Sequence, residues 1–283
     1  MESVISNDWL FNYLDDPNVV IIDCRFDLSN PSWGRQQYEA SHIPGAFYLD
    51  LNQDLSSPVQ KHGGRHPLPH PETLAQKLEN MGIHFSQTNV VAYDDSRFAF
   101  AARLWWLMRY FGHDQVAVLD GGWHGWTMAG YPVSTAIPSA KTGNFTPQLQ
   151  KDWVVDIEEV KARQEDKNAV IIDSRDADRY RGEREPIDPV AGHIPGAVNF
   201  PWKTVTDEQG NLHSPAQQRK RWLDGDPAIG ENQEKIVYCG SGVTACVNLL
   251  SLHLAQLPQG KLYAGSWSDW CSYLEQQGRN EST

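Results

Sequence analysis

With 283 residues, 40% of them hydrophobic, the chain has enough material for two ordinary domains, each with its own core. A formal net charge of −12 sets it against nucleic acid and anionic membrane surfaces as partners, and obliges any anionic small molecule to find a local cationic pocket. The opening MESVISNDWLFNYLDD has neither a basic start nor a long apolar run, no later run is long enough to span a bilayer, and Cys24, Cys239, Cys246 and Cys271 show no paired spacing. The expectation is a cytoplasmic protein with reduced thiols and no metal site.

In chain order, Val19–Ile22 is a short unbroken apolar run of the kind buried on both faces of a parallel sheet. A helix is predicted over Pro71–Met81, a strand at Val90–Ala92, a helix over Ala99–Phe111 and a strand at Val116–Leu119. Ser134–Asp152, rich in Pro, Ser, Thr and Gly, reads as a connector. Beyond it come a helix over Asp156–Gln164, strands at Ala169–Ile172 and Ile236–Tyr238, and a helix over Val243–Gln256. Alternating strand and helix predicts an α/β fold, an open, mostly parallel sheet flanked by helices.

The second half repeats the first. VVIIDCRFDL returns as AVIIDSRDAD, ASHIPGAFYLDL as AGHIPGAVNFPW, NVVAYDDSRFAFAARLWWL as EKIVYCGSGVTACVNLLSL, and LDGGWHGW as YAGSWSDW, all in the same order. This describes a duplicated domain, with copies over residues 1–135 and 152–283. One position breaks the symmetry: aligning Tyr93 with Tyr238 sets Asp94 opposite Cys239, so only the second copy carries a thiol there.

That thiol stands where a strand gives way to a turn of small residues and then a helix, in KIVYCGSGVTACVNLL. Unpaired backbone N–H groups and the positive end of a helix dipole converge at such a point, which lowers a thiol's pKa and makes it a nucleophilic thiolate. Ligands of open α/β sheets bind at the carboxyl ends of the strands, where Cys239 lies.

The paired D-x-R strand ends and HIPGA turns, with CGSGVTA in the second copy only, resemble the tandem-domain rhodanese family of thiosulfate and 3-mercaptopyruvate sulfurtransferases, over about Asp8 to Leu274. The resemblance implies two rhodanese-like domains, the first without the catalytic cysteine. It also implies a reaction in which Cys239 takes sulfur from a small-molecule donor and holds it as a persulfide. The sulfur then passes to a thiol, cyanide or a thioredoxin-type reductant, with no cofactor. By that resemblance Gly240, Gly242, Val243 and Thr244 form the loop around the sulfur, and Arg179 binds the donor's anionic group. Ser241 works with His66 and Asp50 as a proton-handling triad. The neutral Gly240-Ser241 pair points to 3-mercaptopyruvate as donor, because thiosulfate enzymes usually place basic residues directly after the cysteine. Against it, mercaptopyruvate enzymes often carry a second donor-binding arginine after a Glu-Pro, where this chain has Ile187; Arg181 and Arg184 are the candidates to replace it. Thiosulfate as main donor is the alternative, and a non-catalytic sulfur carrier a distant one. A phosphatase would need an arginine within the cysteine loop, and none is there.

Other notable residues read as structural. Asp23, Arg25, Asp173 and Arg175 recur in both copies and are expected to be ion pairs that hold the fold. His42 and His193 belong to turns, and Trp105-Trp106 to a core. Cys24, Cys246 and Cys271 are expected to pack as small hydrophobes. His62, His66 and His70 are four apart, but Gly63, Gly64, Pro67 and Pro69 forbid the helix that would align them as metal ligands.

Overall fold

In the computed structural model the described residues are 1–280, with side chains described through Leu274. They form two compact units. The first comprises Met1–Ser57, Leu68–Lys151 and Thr206–Leu212; the second comprises Pro58–Pro67, Asp152–Val205 and the chain from His213 onward. Each unit therefore includes a short segment that lies, in sequence, within the other repeat.

The first unit runs β1 (Val4–Ile5), α1 (Asn7–Asn12), β2 (Val19–Asp23), α2 (Trp33–Ala40), β3 (Phe47–Tyr48), α3 (Pro71–Asn80), β4 (Asn89–Tyr93), α4 (Ala101–Tyr110), β5 (Val116–Leu119) and α5 (Gly122–Met128). Its five strands pair in parallel in the order β1-β5-β4-β2-β3. β2, β4 and β5 are the apolar runs marked by the sequence, and their residues are buried almost throughout, as strands covered on both faces must be. One core cluster under the sheet gathers Leu10, Ile21, Ile43, Val91, Leu119 and Trp126. Trp105 and Trp106 are fully buried on α4, as expected of a core pair.

The stretch read as a connector is instead pinned to this unit. Ser134 bridges His42, Lys141 bridges Met81, Asn144 bridges His84, and Phe145 is buried. The composition of the stretch suits irregular backbone, but these pairings fix its path.

The second unit repeats the plan with β6 (Val154–Val155), α6 (Ile157–Arg163), β7 (Ala169–Asp173), α7 (Ala177–Tyr180), β8 (Val198–Asn199), α8 (Pro215–Asp224), β9 (Glu234–Tyr238), α9 (Ala245–Leu254), β10 (Lys261–Tyr263) and α10 (Ser266–Asn280). The parallel order is β6-β10-β9-β7-β8. Helix α6 opens with a capping box in which Asp156 and Glu159 satisfy each other's backbone N–H groups. Helix α9 starts at Ala245, two residues later than its apolar pattern suggests, which leaves Val243 and Thr244 in the loop.

Each sheet is locked at the same place. Arg25 donates to both carboxylate oxygens of Asp23 and to the Ser41 carbonyl at 2.6 Å, and Arg175 does the same with Asp173 and the Gly192 carbonyl. All four side chains are buried, so each charge depends on its partner. The turn histidines are local fixtures too: His42 Nδ1 bonds the Tyr38 carbonyl and His193 Nδ1 the Tyr180 carbonyl. Among the described residues no helix is long and apolar enough to cross a membrane.

Candidate active site

The carboxyl end of the central strand β9 delivers Cys239, only 2% exposed, to the floor of a loop whose backbone turns back on it. Gly242 makes the turn possible. It has a φ of +76°, and a Cβ there would lie 2.3 Å from the Ala264 carbonyl oxygen. Burial alone would push the thiol pKa up. The Thr244 hydroxyl and the N–H groups of Ser241, Ala245 and Gly242 favour the anion, outweigh burial and hold the pKa below the ordinary value.

The other cysteines behave differently. Burial, together with Asp23, Asp94 and Asp54, raises the Cys24 thiol well above its usual range, and burial pushes Cys271 up to about 11. Cys246 is fully buried in α9, with its sulfur 3.5 Å from the Gly242 carbonyl.

The matching loop of the first unit shows what the thiol replaces. Asp94 sits at the end of β4 and accepts four backbone N–H groups: Ser96 and Phe98 on one carboxylate oxygen, Phe100 and Ala101 on the other. A convergent set of N–H groups demands an anion. The first unit fills that demand with a fixed carboxylate, the second with a thiol that can react. Burial raises the Asp94 carboxyl above its ordinary value against the pull of these four donors.

The segment Pro58–Pro67 lies across the second unit and carries His66 to Ser241; His66 Nδ1 and the Ser241 hydroxyl share a hydrogen bond of 2.7 Å, and both residues are buried. Two glycines allow this docking. Gly63 (φ +98°) donates its N–H to Asp269 at 2.7 Å, and Gly64 (φ +79°) passes so near the Gly265 carbonyl that a Cβ would come within 2.3 Å of it. The next residue, Arg65, donates its backbone N–H to Ser268 Oγ at 3.1 Å. His62 stacks on Tyr273 and His70 precedes α3, so the three evenly spaced histidines serve different places.

Arg179, on the short helix α7, is held by Glu185 at 2.6 Å and Asp188 at 3.2 Å. Its guanidinium nitrogens would lie 3.6 and 3.7 Å from a Cβ on Gly240. The structure thus gathers Cys239, Gly240, Ser241, Gly242, Val243, Thr244, His66 and Arg179 in the second unit. Asp50 belongs to the first unit, where its carboxylate accepts the N–H groups of Asn52 at 2.8 Å and Gln53 at 3.0 Å and shapes the turn after β3. Neither candidate for the second donor-binding arginine is in the cluster. Arg181 pairs with Glu183 and Arg184 with Asp178, both with side chains about half exposed.

Sequence reasoning missed Arg65, Glu185 and Asp188. Arg65 forms an ion pair with Asp188, and its Nη2 would lie 3.0 Å from a Cβ on Gly240. The one signal was the Gly-Gly pair directly before Arg65-His66, which marks backbone that must approach something closely.

A model of the rhodanese-like domain matches residues 6–129 and again 156–273. The chain belongs to the rhodanese family. A Pseudomonas aeruginosa protein named "Probable 3-mercaptopyruvate sulfurtransferase" is 44% identical over 91% of this chain and 90% of its own length. Rat thiosulfate sulfurtransferase is 31% identical over 95% of this chain and 91% of its own. Among solved structures, SseA from Escherichia coli, described as a 3-mercaptopyruvate sulfurtransferase with the rhodanese fold, superposes with a TM-score of 0.82 at 33% identity, covering 95% of this chain and 100% of that one. Within this rhodanese chain, the repeat with the thiol is the second.

Proposed function

We propose that the protein is a sulfurtransferase that takes sulfur from 3-mercaptopyruvate onto Cys239 and passes it to a thiol or cyanide. The observation that carries this reading is the thiol of Cys239, buried under three N–H groups and the Thr244 hydroxyl that favour its ionised form. The thiolate attacks the donor's sulfur, the carbon–sulfur bond breaks, and its electron pair leaves with pyruvate enolate. The same N–H groups then stabilise the terminal sulfur of the Cys239 persulfide until an acceptor thiolate or cyanide removes it and restores the thiolate.

The enolate must gain a proton. Ser241, bonded to His66, is the group we assign to deliver it, with the imidazole making good the loss. Arg179, whose Nε and Nη2 are held by Glu185 and Asp188, takes the donor's carboxylate through its charge and the Nη1 group that these bonds leave over Gly240. Asp50 is assigned to the same proton chain on the family resemblance. Asp50→Asn tests it, because the amide keeps an acceptor for Asn52 and Gln53 while removing the charge. A fall in kcat supports the assignment, and a loss of stability alone confines Asp50 to its turn.

Thiosulfate is the second reading, favoured by the rat relative's name. It is a compact dianion whose sulfite leaving group requires positive charge close to the reacting sulfur; Gly240-Ser241 offers hydrogen bonds only, and the guanidinium groups over Gly240, those of Arg179 and Arg65, are each offset by a buried carboxylate. Side-by-side kcat/KM values decide between the donors. Mercaptopyruvate should exceed thiosulfate by at least about tenfold, roughly 1.4 kcal/mol of transition-state binding. Replacing Gly240-Ser241 with Arg-Lys should move the ratio toward thiosulfate. We place the reaction in the cytoplasm, where reduced thiols and thioredoxin-type reductants supply acceptors.

A further inference from the structure

The family's usual second arginine is absent, yet the cysteine loop of this chain faces two guanidinium groups. Arg179 is tied by Nε and Nη2 to Glu185 and by Nη2 to Asp188. Arg65 is tied by Nη1 to Asp188. Both carboxylates are buried, with side chains 4% and 1% exposed, and Asp188 bridges the two arginines. These bonds leave Arg65 Nη2 and Arg179 Nη1 over Gly240, 3.0 and 3.7 Å from the position a Cβ would take there. Two like charges side by side repel, and burial followed by Arg179 lowers the pKa of Arg65, with the Cys239 site opposing that fall. Such a pair persists only if anions hold it from behind, which Glu185 and Asp188 do, or enter from in front. Gly240 keeps the front open, because it carries no side chain at the point where both guanidinium groups meet the loop.

We propose that Arg65, carried to the cysteine loop by the Gly63-Gly64 strap, is the second donor-binding arginine of this enzyme and closes with Arg179 on the donor's carboxylate above Gly240. This rests on the sulfurtransferase reading of the same site. It assigns donor recognition to a residue from the first repeat in sequence, next to the histidine that bonds Ser241. It also gives Asp188 a positioning role, as the bridge that sets the spacing of the clamp.

The test compares two alkylating agents at Cys239, with the modified cysteine located by peptide mass. Iodoacetate carries a carboxylate and iodoacetamide does not; with either, the thiolate attacks the methylene carbon and iodide leaves. The iodoacetamide rate reads the thiolate and the integrity of the loop, and the ratio of the two rates reads anion capture. Arg65→Gln should lower that ratio about tenfold and raise KM for mercaptopyruvate at least about tenfold, with a smaller change in kcat. Arg65→Lys, which keeps the charge without the fork, should fall between. A ratio within about twofold of the unmodified protein in Arg65→Gln, with the iodoacetamide rate intact, would overturn the proposal. If Arg65→Gln loses its iodoacetamide reactivity as well, Arg65→Lys decides: a lowered ratio supports the clamp and an unchanged one overturns it. Failure of the sulfurtransferase reading looks different. The unmodified protein would then gain no sulfur from any donor, while the alkylation ratio remained measurable.

Discussion

His66 Nδ1 lies 2.7 Å from the hydroxyl oxygen of Ser241, although 175 residues separate them in the chain. A buried imidazole and a buried hydroxyl placed in this way suit the proton relay proposed for the reaction at Cys239. Ser241→Ala and His66→Ala should each lower kcat for mercaptopyruvate by about 10²-fold, the usual scale of one general acid–base contribution. Thiosulfate turnover should fall much less, because sulfite leaves without needing a proton. The double variant should be little worse than either single one, since both break the same relay. Equal losses with the two donors would remove the pair from proton transfer.

Arg179 should govern donor affinity. Arg179→Ala is expected to raise KM for mercaptopyruvate by about 10- to 1,000-fold, with lysine restoring only part, as for a lost charge-assisted contact. Steady-state kinetics check this. An unchanged KM would take Arg179 out of the donor site and leave it as the counter-ion of Glu185.

The reactivity of Cys239 should show its lowered pKa. The pH profile of iodoacetamide alkylation should have its midpoint below that of an ordinary thiol, and Thr244→Val should move the midpoint up, because one donor to the sulfur is lost. The sign carries over to stability. A folded-state pKa below the unfolded one means that the thiolate stabilises the fold fully above the unfolded value, and that this contribution fades as pH falls through the folded one.

Asp94 should matter to stability alone. Asp94→Asn keeps the shape but turns an NH₂ group toward N–H donors that now lack an acceptor. Unfolding by denaturant should show a loss of about 1–3 kcal/mol for each buried N–H left unpaired. A variant as stable as the unmodified protein would mean that the loop relaxes around the amide and that the anion is dispensable.

Much of this was legible in the sequence, for physical reasons. Strands such as Val19–Asp23 and Glu234–Tyr238 are covered on both faces, so they are written as unbroken apolar runs that need no partner to be recognised. The place of Cys239 was legible because the small residues Gly240, Ser241 and Gly242 mark a turn between a strand and a helix. The docking of Pro58–Pro67 was not. A run rich in Gly, Pro and His has no periodicity, and its destination is set by bonds to Asp269 and Ser268 some two hundred residues away. Arg65 was missed with it, as were Glu185 and Asp188, whose role depends on a guanidinium pair that only the folded chain assembles. The stretch Ser134–Asp152 has the composition of a connector, yet the bridges of Ser134, Lys141 and Asn144 hold it down, and composition does not encode such pairings.

The central claim is that Cys239 alone carries the sulfur, and intact-protein and peptide mass spectrometry after incubation with 3-mercaptopyruvate tests it most directly. The unmodified protein should gain the mass of one sulfur atom, located on the peptide containing Cys239 and removed by cyanide. Cys239→Ser should gain none, while serine at positions 24, 246 and 271 leaves the gain intact. Sulfur on another cysteine, or turnover by Cys239→Ser, would contradict the account.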